Sequence, residues 1–178
     1  KKAFFRDNTK KSEKCISCYP AVEQGKQTQC VQNCIGKIRF SGFKSHWRKP
    51  NPNNPIDYLV HIKKVAFPLY PQFGLEPNVY YIPPFNVPED FNRQLFGPQA
   101  KRAVNTYKKA SQDKKLIGAL VLMGCTDKIV ATFRVEGDIN KGQVIGYDDK
   151  QTEIVRVPLK EPIIIRKAND QKHDVRRI

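Results

Sequence analysis

Apolar positions recur at two different periods along this chain, and the change falls past its middle. In IDYLVHIKKVAF, Ile56, Leu59, Val60 and Ala66 return at helical spacing, which predicts a short amphipathic helix. Pro55 suits its first position and Asn54 its cap. Gly97-Pro98 opens a second predicted helix over about Gln99–Ala110. Ala100, Ala103, Val104 and Tyr107 share one of its faces, and Lys101, Arg102, Lys108 and Lys109 the other. The period then shortens. LIGALVLMG, KIVATFRVEG, QVIGYDD, EIVRVPL and PIIIRKA are short apolar runs rich in β-branched residues. Turn signals at Asp127, Gly137-Asp138, Asp148-Asp149 and Lys160-Glu161 separate the later ones, so the pattern predicts a small, mostly antiparallel sheet. The last ten residues, NDQKHDVRRI, are polar and read as a frayed tail.

Between these elements the pattern breaks. Residues 1–50 hold no long periodic segment. RKPNPNNP, Arg48 to Pro55, is a turn-rich linker. From Pro68 to Pro88 six prolines fall in twenty-one residues, which excludes a regular helix and most sheet pairing. Tyr70, Phe73, Tyr80, Tyr81 and Phe85 lie among them, so this stretch reads as an ordered arm packed on its own core or on a neighbour. The expected class is α+β: a half-ferredoxin-like cysteine segment, a long aromatic and proline arm, two short helices and a small C-terminal sheet. The expected division is 1–50 and 51–178, forming one compact unit.

Charge narrows the partners. The chain has 178 residues and a formal net charge of +15, and residues 1–50 carry twelve Lys/Arg against three Asp/Glu. Such a field attracts acidic surfaces. The aromatics are not interleaved with the basic residues as stacking platforms would be, so an acidic protein surface is the expected partner and nucleic acid is not. No run of eighteen apolar residues is present to span a membrane. The chain begins at Lys1 rather than Met, which reads as a processed protein or a piece of a longer one. An extracytoplasmic location, or the lumen of an energy-conserving compartment, is expected after removal of an export signal.

Four of the five cysteines fall in twenty residues, Cys15, Cys18, Cys30 and Cys34, spaced C-x2-C-x11-C-x3-C. Three chemistries compete for them. Four thiolates could close a tetrahedral zinc site, although zinc ribbons favour two C-x2-C knuckles. They could pair as disulfides in an oxidising compartment. Or they could ligate iron–sulfur clusters, the first three thiols holding one cluster and the fourth serving a second. Cys125, alone in an apolar run, reads as a buried thiol. Asp57 and His61, four apart on the first helix, read as a solvated pair rather than a general base. Trp47, beside His46, is expected to pack against the sheet. His173 suggests no role. No nucleophile elbow or phosphate loop is present, so the chain does not read as an enzyme on its own.

The segment EKCISCYPAVEQGKQTQCVQNCIGKIRFSGF resembles the last cysteine motif of the iron–sulfur β subunits of the dimethyl-sulfoxide-reductase family of molybdenum enzymes. The likeness continues through GLEPNVYYIPP, FNRQLFGPQAKRAV, LIGALVLMG and IGYDDKQTEIVRVPLKEPIIIRKA. Nitrite oxidoreductase is the member it points to. The resemblance implies a fold that passes electrons between a molybdenum subunit and a heme subunit. It also implies that Cys15, Cys18 and Cys30 serve one cluster while Cys34 reaches toward another. Only the last of the family's cysteine motifs is matched. The expectation drawn from this is a non-catalytic accessory subunit of a nitrite-oxidoreductase-like complex. It would carry no cofactor or one iron–sulfur cluster, and would promote assembly with the subunits of that complex or with its own copies. Tyr80, Tyr81, Pro83, Pro84 and Phe96 are the expected contact residues. An iron–sulfur electron-transfer subunit is the alternative.

Overall fold

Residues 3–160 are described by a computed structural model, and it opens on a hairpin that the sequence pattern did not suggest. Strand β1 (Phe4–Arg6) pairs antiparallel with β2 (Lys11–Glu13), and Arg6 Nε donates to Glu13 Oε2 at 2.6 Å across it. Two single-turn helices carry the cysteine run, α1 (Tyr19–Val22) and α2 (Gln29–Gln32). Each is too short to hold itself together. Tertiary contacts do that.

The predicted first helix is present, in two parts. Helix α3 (Pro55–Asp57) begins at Pro55, and the Asn54 side chain accepts from the amides of Ile56 and Asp57 at 2.9 and 3.1 Å. The chain then widens into a π-turn over Tyr58–Ile62, closed by the Lys63 amide on the Tyr58 carbonyl at 2.8 Å. The arm follows. It touches the core through paired backbone bonds between Phe67 and Tyr81, and the Tyr70 amide donates to the Leu95 carbonyl. Helix α4 (Glu89–Phe96) has no counterpart in the sequence reading. Its signals were Pro88 at the cap and Glu89-Asp90 in the first turn, where acidic groups favour a helix start. Helix α5 (Ala100–Lys108) is the predicted second helix, with Ala100 and Ala103 buried.

LIGALVLMG, expected as a strand, is a helix. Helix α6 (Lys114–Val121) starts where Asp113 Oδ1 accepts from the Lys115 and Leu116 amides at 3.2 and 3.0 Å. A short apolar run fits a buried helix as well as a strand, and the cap settles which one forms. Strands β3 (Thr132–Glu136), β4 (Gln143–Tyr147) and β5 (Glu153–Pro158) form one antiparallel sheet in that order. PIIIRKA and the tail lie outside the described residues.

The core sits between α6, the π-turn and the inner sheet face. Leu116, Ala119 and Leu122 meet Tyr58, Leu59, Val65, Val130, Phe133 and Val144 there. Each such large side chain contributes about 1.5–3 kcal/mol on burial. Gly118 lets α6 lie close to the sheet, because a Cβ on it would stand 2.5 Å from Val135 Cγ2. The fold is therefore mixed helix with small antiparallel sheets. Among the described residues no helix is long and apolar enough to cross a membrane.

Candidate functional site: the cysteine segment

The spacing of the four thiols becomes geometry through two local devices. Ser17 and Cys18 both adopt left-handed backbone, φ 57° and 54°, so the chain turns sharply after Cys15. That turn aims the Ser17 amide at Cys15 Sγ, 3.4 Å away. Cys18 Sγ accepts from the Gln29 amide at 3.4 Å, at the first residue of α2. Thr28, at the cap of α2, has its hydroxyl 3.3 Å from Cys30 Sγ, either group able to donate, and makes no capping bond to the helix amides. Cys15 and Cys30 are exposed, and Cys18 and Cys34 half-buried.

Cys34 lies beyond the other end of α2, in surroundings of its own. Its thiol is held below the ordinary range chiefly by the Ile38 amide, which donates to the sulfur. Against a smaller opposing effect of burial, the charge of Arg39 and the amides of Gly36 and Lys37 add to this. Hydrogen bonds and a positive charge near a thiol both favour its ionised form. Arg39 also ties the loop back by donating to the Cys30 carbonyl at 3.1 Å.

No bond joins Cys15, Cys18, Cys30 and Cys34. Nor do three His, Cys, Asp or Glu side chains converge to hold a single ion among the described residues. An iron–sulfur cluster differs from a single ion because its thiolates stand around a cage rather than around a point.

The segment is held to the rest of the fold by a residue that the sequence did not single out. Gln27 is 1% exposed. Its Nε2 donates to the Lys128 carbonyl at 3.0 Å, and its Oε1 accepts from the Ser41 amide at 2.9 Å and from the Ser41 hydroxyl. Its own amide donates to the Asp127 carbonyl at 2.8 Å, and the Ile129 amide donates to the Gly25 carbonyl at 2.7 Å. Residues 25–27 are thus stitched to residues 127–129, between α6 and β3.

The remaining expected sites are scattered. Cys125 is exposed rather than buried: the run before it is a helix, and the chain turns outward at Gly124, φ 75°. Its thiol donates to the Val121 carbonyl at 2.8 Å. Trp47 is 63% exposed and stacks with His46 and Arg48 instead of packing on the sheet. Asp57 is not solvated. It is fully buried, and its two carboxylate oxygens accept from the Ser45 and Asn51 amides, both at 2.8 Å. His61 is half-buried; burial foremost, then the charge of Lys44, holds its pKa below the usual value. Of the expected contact residues, Pro83 and Phe96 are buried in this chain's own core. Tyr80 is half-buried, while Tyr81 and Pro84 are exposed.

Residues 1–44 match the family model described as "4Fe-4S dicluster domain". Over 148 residues the chain is 38% identical to the chlorate reductase subunit beta of Ideonella dechloratans, covering 71% of this chain and 44% of that protein. The dimethylsulfide dehydrogenase subunit beta of Rhodovulum sulfidophilum is 36% identical, over 67% of this chain and 39% of its own length. The selenate reductase subunit beta of Thauera selenatis is 36% identical over 71% and 44%. The chain is a homologue of the iron–sulfur β subunits of molybdenum oxidoreductases. It spans less than half the length of these three β subunits. The dicluster match covers all four cysteines of the run and indicates iron–sulfur cluster binding by the segment.

Proposed function

We propose that this chain works in electron transfer within a molybdenum-oxidoreductase complex, with Cys15, Cys18 and Cys30 as ligands of one iron–sulfur cluster and Cys34 as a ligand of a second. The observation that carries this reading is the division of the sulfurs. Cys18 accepts from the Gln29 amide and Cys30 meets the Thr28 hydroxyl at the start of α2, and Cys15 lies on the knuckle that leads to it. Cys34 stands beyond the end of α2. Thiolates from polypeptide other than residues 3–160 would complete each ligand set. When bound, the clusters supply one-electron carriers whose potentials depend on hydrogen bonds to sulfur and on local charge.

The chain's own groups have three tasks in this reading. The amides of Ser17 and Gln29 stabilise negative charge on Cys15 and Cys18, and the Ile38 amide does so on Cys34. Arg39 and the basic residues of 1–50 offset the charge of the reduced centres. Gln27 fixes the loop between the two halves of the motif. The test is iron and acid-labile sulfide analysis of the complex isolated with this chain, with electron paramagnetic resonance after reduction, for the parent and for Cys18→Ser and Cys34→Ser. Loss of iron and of a different signal in each variant is expected. Unchanged iron and signals in both variants overturn the reading.

A second reading has a specific observation behind it. Phe73, Tyr81 and Phe85 on the arm are 67%, 45% and 48% exposed, on a chain of net charge +15. Such a surface suits an accessory role in assembling a nitrite-oxidoreductase-like complex, against acidic partner surfaces or further copies. Light scattering of the enzyme with and without the added chain tests it, and an unchanged particle size counts against it.

A further inference from the structure

The exposed Trp47 stands on a loop that the interior holds at both ends. Asp57 is fully buried, and its two carboxylate oxygens accept from the Ser45 amide and the Asn51 amide, each at 2.8 Å. One buried charge thus clips the start and the finish of residues 45–51. Just before the clip, the buried Asn54 donates through Nδ2 to the Phe43 carbonyl at 3.0 Å. Within it, the Lys49 amide donates to the His46 carbonyl at 2.9 Å, closing a tight turn with Trp47 and Arg48 at its tip. The Arg48 guanidinium lies over the indole, 5.0 Å from the ring centroid, and Trp47 is left 63% exposed.

Two features separate this ring from an idle surface residue. The first is order. A buried carboxylate is unfavourable unless it is well bonded, and what this one bonds is the backbone of an outward-facing loop. A ring fixed before contact gives up little freedom on binding, and Trp and Arg are the types that most often anchor protein interfaces. The second is charge of one sign. Residues 24–56 contain six Lys/Arg and no Asp/Glu. Among the described residues Lys44, Arg48 and Lys49 pair with no carboxylate. We propose that residues 45–51 form a preorganised docking site for an acidic surface of another subunit, with Trp47 as its anchor and Lys44, Arg48 and Lys49 as its rim. This rests on the reading that the chain works within a complex, and on nothing about its cluster ligands. A second copy of this chain is the poorer occupant, because a symmetric contact sets loop against loop and brings like charges together.

The test is made on the complex isolated with this chain. p-Benzoylphenylalanine in place of Trp47, irradiated in that complex, is expected to capture another subunit at an acidic segment mapped by mass spectrometry. On dilution, followed by mass photometry, Trp47→Ala is expected to leave the complex about thirtyfold faster than the parent, the scale of an interface anchor. Trp47→Phe recovers part of that loss. Arg48→Ala/Lys49→Ala also leaves faster, and its rate depends less on salt. Phe91→Ala trims another exposed ring, on α4, and leaves at the parent rate. Circular dichroism of the purified chain checks that each variant is folded. A folded Trp47→Ala chain that does not enter the complex at all is the same result in full.

Trp47 is the sole tryptophan of the chain, so its emission in the purified chain reports on lipid. Phosphatidylserine vesicles are expected to leave that emission unshifted, and a blue shift overturns the choice of a protein partner. Capture of a second copy, or equal rates for Trp47→Ala and Phe91→Ala, overturns the proposal. A chain that isolates with no other subunit overturns the complex reading and the proposal together. A chain that isolates in its complex with nothing captured at position 47 overturns the proposal and leaves that reading standing.

Discussion

Replacing Gln27 by Met keeps the volume of a buried side chain and removes its polar atoms. Three hydrogen bonds go with them: one to the Lys128 carbonyl and two from the amide and hydroxyl of Ser41. Each is worth about 0.5–1.5 kcal/mol net, and a buried group left unpaired costs about 1–3. The partners differ in what they can do next. Lys128 is exposed, so water can reach its carbonyl. Ser41 is half-buried, and its amide has little else to bond. The expected loss is therefore about 2–3 kcal/mol, which lowers the melting temperature by roughly 4–12 °C in a domain of this size. Urea denaturation followed by circular dichroism measures it. A cycle with Ser41→Ala isolates the pair, with an expected coupling of about 0.5 kcal/mol or more. A loss under about 0.5 kcal/mol, or strict additivity with Ser41→Ala, refutes the claim that Gln27 anchors the cysteine segment.

Gly118→Ala gains helix propensity but drives a methyl group onto Val135, 2.5 Å away. A net destabilisation of about 1–3 kcal/mol is expected, relieved by adding Val135→Ala and checked by thermal melts of the three variants. Asp57→Asn leaves one acceptor oxygen where two amides need one each, and a loss of about 2–4 kcal/mol is expected by chemical denaturation. Lys63 pairs with Asp113. Burial opposes the charge on Asp113, but the Lys63 hydrogen bond and the Leu116 and Lys115 amides outweigh it and hold its pKa low. The same pair raises Lys63, whose first cause is its bond to Asp113. A depressed carboxylate gives stability that is present above its unfolded value of about 4 and lost as pH falls through the folded one. A raised lysine gives stability present below its unfolded value of about 10.4 and lost as pH rises through the folded one. Asp113→Asn keeps the helix cap, so it should flatten both limbs of the stability–pH curve while leaving α6 intact by circular dichroism.

Local rules carried a good part of this fold. Asn54 and Pro55 announced a helix start because capping is a contact between near neighbours, and the β-branched runs announced β3, β4 and β5 for the same reason. The C-x2-C-x11-C-x3-C spacing left zinc, disulfide and iron–sulfur chemistry open, and the family match over residues 1–44 is what points to the last. The strand expected at LIGALVLMG failed where two local signals competed: its apolar pattern suits either state, and the Asp113 cap decided it. One error followed from that one, because a helix ending at Val121 leaves Cys125 exposed. Trp47 and Asp57 were misplaced because burial depends on what lies across the fold, which periodicity does not report.

The order of residues alone determined which thiols sit together and which segments are helix or strand wherever the deciding contacts lie within a turn of each other. Only the folded chain decided that residues 25–27 meet residues 127–129, that Gln27 is the anchor, and that a glycine in the second half packs against Lys37 in the first. Those contacts join residues about a hundred positions apart, and no local pattern encodes a partner at that distance.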